Sequence, residues 1–243
     1  MDNHDSILYD KKFECAHCDH SFVSKKTRLR KSHPFQRDSD FCEHYENQTY
    51  NPILYHVTVC PQCGYSFNDQ FRKSVLPQIE EKIEEKITKH WTAKDYTGIR
   101  TIPEAIAAYK LTIFTADVRK EPHCVIAGLC LRLAWLYRYF KNESKELRFL
   151  NLALAEYEDS YTQGDYARAG MSELKLIYLI GELYRRTGDP GKALRYFSRV
   201  VEHPLRSNEP QTVNLAREQW QNMREDMKKA REAAASASES PTA

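Results

Sequence analysis

The sequence predicts a mainly α-helical protein with a small, β-rich, metal-held module at its N-terminus. Three observations carry that prediction. Two Cys-x-x-Cys pairs, Cys15/Cys18 and Cys60/Cys63, lie in the first quarter of the chain. Amphipathic segments follow one another from about residue 70, and a helix–turn–helix spacing runs from Ile177 to Pro204.

Composition sets the bounds. With 243 residues the chain has room for one large domain or two modest ones. Hydrophobic residues make up 41% and charged residues 29%, which excludes wholesale disorder. A net charge of +2 is too small to announce a nucleic-acid or membrane partner by itself. Met1 to Lys12 carries charges and no long apolar run, so no secretory signal is expected. Cys124 to Leu136, the most apolar stretch, is interrupted by Arg132 and is too short to span a bilayer. Seven cysteines, an odd number, point to reduced thiols and metal ligation, and a cytoplasmic location is the expectation.

Residues 1–69 form the first expected domain. Cys15-Ala-His-Cys18 leads to Phe22, and Cys60-Pro-Gln-Cys63-Gly64-Tyr65 leads to Phe67. Two such knuckles supply four thiolates, the ligand set of a closed, tetrahedral structural Zn2+ site. The segment Lys11–Glu14 reads as a strand entering Cys15, and Ile53–Val59, which alternates apolar and polar residues, as a strand entering Cys60. Strand, knuckle and strand together make a zinc ribbon. A core this small is marginal, and structural zinc contributes on the order of 10–16 kcal/mol in finger peptides, so the metal decides folding here. A thioredoxin-like redox role for either pair needs a βαβ context that the sequence lacks.

Residues 70–232 form the second expected domain, with a disordered Ala/Ser tail at 233–243. Ile177-x-x-Ile180-Gly181-x-x-Tyr184, then Gly188, Ala193 and Phe197, resemble the spacing of a tetratricopeptide-like α-helical solenoid unit, with departures at Val200, where alanine is usual, and at Pro204, which comes one residue early. Gly181 lets two helices approach, Gly188-Asp189-Pro190 makes the turn, and Ala193 and Phe197 pack small against large. Weaker copies lie upstream. Leu133-Ala134-x-x-Tyr137 repeats the first-helix pattern and is followed by a helix from about Ser144 to Gln163. Pro103-Glu-Ala105-x-x-x-Tyr109 reads as the second helix of an earlier unit, with a helix from Phe71 to about Trp91 as its partner. In that partner Ile79, Ile83 and Ile87 share one face. A final helix with Leu215, Trp220 and Met223 on one side serves as a cap.

Three sets of residues are candidates for chemistry or binding. Cys15, Cys18, Cys60 and Cys63 are the metal ligands. Cys42 and His44 are weighed as additional ligands, but with four thiolates available Cys42 reads as a small hydrophobe and His44 as an exposed or hydrogen-bonded side chain. Cys124 and Cys130 belong to the core of an apolar helix. Lys25, Lys26, Arg28, Arg30 and Lys31 place five cations within seven residues and offer a phosphate-binding surface, countered by Asp38, Asp40 and Glu43 downstream. If the repeat register holds, Leu131, Trp135, Arg138, Tyr139, Tyr178, Glu182 and Arg185 line a groove for a protein or peptide partner. No nucleotide loop, G-x-S-x-G or H-E-x-x-H occurs, and the paired glutamates at 80–85 alternate with lysines on a solvated face, so neither an enzyme nor a small-molecule substrate is expected.

Arg37-Asp38-Ser-Asp40-Phe41-Cys42-Glu-His-Tyr45 and Asn51-Pro52-Ile-Leu54-Tyr55-x-Val57-x-Val59-Cys60-Pro61-x-Cys63-Gly64-Tyr65 go further than a generic ribbon. They resemble a bacterial family known only as a domain of unknown function, number twenty-two twenty-five, over nearly the whole chain up to about residue 230. The resemblance implies a cytosolic bacterial protein that joins a cysteine-pair region to a repeat-like helical region, and it supplies no activity. Taken together, the expectation is a zinc-binding, non-catalytic interaction adaptor, with a nucleic-acid-associated factor as the alternative. The polar run Arg37–Asp40 is either a site or a brace in which Arg37 pairs with Asp40.

Overall fold

The computed structural model describes residues 7–238. Among the described residues it contains six short strands in three antiparallel pairs and seven α-helices, so the mainly α class holds. No helix among the described residues is long and apolar enough to cross a membrane. The chain divides into two compact units, 1–169 and 170–243. The cysteine-rich region therefore shares its unit with the first four helices.

In the first unit β1 (Leu8–Glu14) pairs with β2 (Ser21–Thr27) across the first knuckle. Phe22, Ser24 and Lys26 face inward at the period of two that a half-buried strand requires. The long excursion between knuckles contains a small hairpin of β3 (Gln36–Arg37) and β4 (Glu43–His44). Around the second knuckle β5 (Thr58–Val59) pairs with β6 (Ser66–Phe67).

The strand expected over 53–59 is only its last two residues. Pro52–Tyr55 is instead a 3-10 turn, because the Asn51 side chain accepts from the Ile53 amide and Pro52 sits in the first turn. A turn leaves carbonyls that a sheet would have paired. Two buried cations take them: Arg100 donates to the carbonyls of Leu54 (3.0 Å) and Val57 (2.8 Å), and Lys26 Nζ to those of Tyr55 (3.0 Å) and His56 (3.2 Å).

The helix expected from Phe71 starts later, at Pro77, whose ring suits a first helical turn: α1 is Pro77–Lys86. Its Ile79, Ile83 and Ile87 pack on the cysteine-rich cluster rather than serving only as a repeat partner, while the paired glutamates on its other face are exposed. Next, α2 (Ile102–Arg119) begins with a capping box in which the Thr101 side chain accepts from the Glu104 amide and Glu104 reaches back to Thr101. Following it, α3 is His123–Tyr139 and α4 is Glu143–Gln163, capped by Asn142. The core joins Leu54, Tyr55, Val57 and Val59 to Ala105, Tyr109 and Ala116 of α2 and to Leu129, Leu133 and Leu136 of α3. Cys124 and Cys130 are buried in α3, as read from the sequence.

In the second unit α5 (Glu173–Thr187) and α6 (Pro190–Glu202) meet at the anticipated turn, with Gly188 left-handed (φ 91°) and Asp189 capping α6. A Cβ on Gly181 would lie 3.0 Å from Tyr196 Cβ and 3.1 Å from the Phe197 ring, which is the close approach anticipated at this position. The last helix, α7 (Pro210–Ser238), buries Val213, Ala216 and Met223, with Leu215 and Trp220 only half-buried, so its inward stripe is rotated from the one expected. Residues 233–238 of the supposed tail continue α7, and 239–243 lie outside the described residues.

Candidate metal centre

Each knuckle is built by the same backbone device. The Cys15 amide donates to the His20 carbonyl (3.0 Å), and the Asp19 amide donates back to the Cys15 carbonyl (2.9 Å). In the second knuckle the Cys60 amide donates to Tyr65 (2.9 Å) and the Gly64 amide to Cys60 (3.0 Å). The residue after each second cysteine, Asp19 (φ 57°) and Gly64 (φ 75°), takes the left-handed conformation that closes the turn. Asp tolerates that region and Gly prefers it.

These two turns bring four sulfurs together. Cys15 Sγ lies 3.6 Å from Cys63 Sγ, Cys18 Sγ lies 3.7 Å from Cys60 Sγ, and all four ligand atoms fall within 4.8 Å of one another. A tetrahedron of metal–sulfur bonds of about 2.3 Å has sulfur–sulfur edges of about 3.8 Å. The arrangement fits a single metal ion, and none of the seven cysteines is in a disulfide.

Electrostatics agree with thiolate ligation. The hydrogen bond from Cys63 holds the Cys15 thiol down to about 5 against the opposing effect of burial, with help from the amides of His17 and Cys18. The bond to Cys15 pushes Cys63 up, and burial raises Cys60 to about 11 even though the Gln62 and Cys63 amides bond to its sulfur. Four thiols this close, three of them buried, oppose one another's ionisation. A divalent cation removes that conflict by stabilising all four thiolates.

Neighbouring elements seal the cluster. Phe22, Tyr65, Ile83, Ile87 and Val118 surround it, and His17 Nε2 reaches Glu84 of α1 at 3.2 Å. Trp91 donates its indole N–H to the Pro61 carbonyl (3.0 Å) and lies over Gly64. Tyr65 accepts a hydrogen bond from the buried Arg119, whose Nε is also paired with Glu121 at 2.7 Å. Arg72 joins the same carboxylate from the other side at 3.2 Å, tying the second knuckle to the end of α2.

The five cations at 25–31 do not form one surface. Lys25 is paired with Asp10 (2.8 Å), Lys26 is buried, and Arg28 stacks on the Tyr9 ring (4.7 Å); Arg30 and Lys31 are exposed. The residues assigned to a groove are placed as follows. Leu131 is buried, while Trp135, Arg138 and Tyr139 face the chain's own hairpin. Trp135 Nε1 donates to Asp40 (3.0 Å), Arg138 grips Asp40 through both terminal nitrogens (3.1 and 2.7 Å), and Tyr139 donates to the Glu43 carbonyl (2.5 Å). In the second unit Tyr178 and Glu182 are buried, Glu182 pairing with Arg185 (2.7 Å) and Arg186 (2.7 Å).

Arg37 does not pair with Asp40. It meets Glu43 across the hairpin, and Asp40 is taken by Arg138. His44 is half-buried rather than exposed, and its buried Nε2 lies 3.0 Å from Asp38 Oδ2, within ion-pair distance. Asp38, Cys42 and His44 form a second group of metal-type side chains among the described residues. The alternate spacing Cys42-x-His44 was visible in the sequence, but nothing there brought Asp38 to it.

No curated protein and no solved structure matches the chain. A match that spans most of the chain, residues 8–223, is to the family described as "Uncharacterized protein conserved in bacteria (DUF2225)". It takes in both knuckles, the hairpin and the first six helices, and the chain belongs to that family.

Proposed function

We propose that this protein is a zinc-clasped, non-catalytic adaptor whose helices carry a surface for a protein or peptide partner. The observation that carries the reading is the convergence of Cys15, Cys18, Cys60 and Cys63, a four-sulfur set buried among apolar side chains. Zn2+ is the metal whose preferred tetrahedral thiolate geometry this set reproduces. Four protein ligands leave no position for a substrate, so the ion organises the first unit and the work falls to surfaces.

The exposed apolar side chains Phe140, Leu147 and Leu152, at the end of α3 and on α4, support a surface for a partner. Trp135, Arg138 and Tyr139 are already engaged with the hairpin, which makes α4 the better candidate face. For the alternative, nucleic-acid binding, only Arg30 and Lys31 of the basic run stay exposed.

An affinity pull-down comparing wild type with Leu147→Asp/Leu152→Asp and with Arg30→Glu/Lys31→Glu separates the two. The adaptor reading expects a partner to be lost with the first variant and kept with the second, at both low and moderate salt. Capture of nucleic acid that weakens steeply with salt and fails in the second variant contradicts it.

A further inference from the structure

The hairpin between the knuckles holds a cluster that the four-cysteine clasp does not use. Its loop is set by the Phe41 amide donating to the Asp38 carbonyl (2.9 Å) and the Asp38 amide donating to the Cys42 carbonyl (2.8 Å), with Phe41 left-handed at φ 69°. A bulky residue in that region is uncommon, and Gly or Asn would hold the same turn without strain. The turn places Asp38 beside Cys42, and the strand period puts Cys42 and His44 on one face.

We propose that Asp38, Cys42 and His44 form a second divalent-cation site, separate from the four-cysteine clasp and suited to Zn2+. Each residue offers one ligand atom, and the three atoms lie within 4.8 Å of one another. His44 Nε2 is buried with no hydrogen bond, although Asp38 Oδ2 is 3.0 Å away. Their spacing, short enough for an ion pair, is also close to that of two ligands of one ion: bonds of 2.0–2.2 Å would set them about 3.4 Å apart. Thiolate, imidazole and carboxylate together are a set that zinc accepts.

Charge points the same way. Four carboxylates, Asp38, Asp40, Glu43 and Glu146, gather here against the two guanidiniums of Arg37 and Arg138. A divalent cation balances the remaining negative charge. Arg138 donates to Asp38 Oδ2 (2.7 Å), and an ionised carboxylate keeps further lone pairs for a metal. Tyr139 OH lies 3.2 Å from Cys42 Sγ and its ring meets His44 edge-on, so both ligands are held from outside the first coordination sphere. Binding replaces the Cys42 thiol proton, which passes to solvent. Three protein ligands leave a fourth position for water or for a donor atom of a bound molecule, unlike the closed clasp.

The test is the zinc content of the full-length chain after reconstitution with zinc chloride alone and gel filtration, measured for wild type, His44→Gln, Cys42→Ser and Cys63→Ser. His44→Gln and Cys42→Ser are each expected to lose about one equivalent per chain, with the helical circular dichroism kept. If Cys42→Ser fails to fold, His44→Gln decides, because His44 lies outside both apolar core clusters. A zinc content equal to wild type in His44→Gln overturns the proposal. Loss in His44→Gln but none in Cys63→Ser leaves this site standing and removes the clasp instead.

Discussion

At Gly64 a side chain meets two obstacles at once. The backbone sits at φ 75°, and a Cβ would lie 2.4 Å from the Trp91 ring that covers the knuckle. Gly64→Ala is therefore expected to cost about 1–3 kcal/mol and to speed zinc transfer to a chelator. Denaturant titration and a colorimetric chelator assay check both effects; unchanged values would show that Trp91 does not seal the site. Lys26 shows a different residue-scale effect. Burial pushes its ammonium down to about 8, so the folded chain holds that proton less tightly than the unfolded chain. The unfavourable contribution is full below about pH 8 and fades as pH rises towards the ordinary lysine range. Wild-type stability should rise between about pH 8 and 10.5 relative to Lys26→Met, in which this part of the slope disappears. Parallel denaturation curves for the two proteins across that window would contradict the assignment.

At the scale of elements, Gly181 of α5 faces Tyr196 and Phe197 of α6 at distances where an added methyl group would have to push them back by a few tenths of an ångström. Gly181→Ala should cost about 1–3 kcal/mol by overpacking, seen as a lowered thermal midpoint, while the same change at Gly191, whose nearest neighbour to a Cβ is at 3.6 Å, should cost less. This hairpin was legible in the sequence because its signals are local: a small residue against a large one, a Gly-Asp-Pro turn and a capping aspartate. Both knuckles were legible for the same reason, since Cys-x-x-Cys followed by a left-handed residue specifies its own turn. The segment 53–59 was not. Its alternation looks like a strand, but Asn51 and Pro52 start a turn, and the cations that satisfy the freed carbonyls, Lys26 and Arg100, are distant in sequence. The stripe of α1 was read correctly, whereas its packing on the cysteine cluster depends on tertiary structure alone. Arg138 was read as a groove residue for the same reason: nothing local shows that Asp38 and Asp40 come to it from a hundred residues away.

At the scale of the molecule, the first unit is organised from its four-cysteine cluster outward. The cysteines share an apolar cluster with α1 and with Val118 of α2, and Arg119, Glu121 and Arg72 fasten the second knuckle to the end of α2. Glu121 is fully buried between two guanidiniums. Glu121→Ala leaves both without their carboxylate and is expected to destabilise the first unit by about 3–5 kcal/mol, read by denaturant titration. An effect below about 1 kcal/mol would show that the knuckle does not depend on this network.

The central claim is that Cys15, Cys18, Cys60 and Cys63 hold one ion together. Alkylation of the native chain, with peptide mapping by mass spectrometry before and after a strong chelator, tests it most directly. These four cysteines are expected to stay protected as a group and to become reactive together once the metal is withdrawn, with loss of near-ultraviolet circular dichroism. Labelling of Cys15 alone in the untreated protein, or a chelator that changes none of the four, would contradict it.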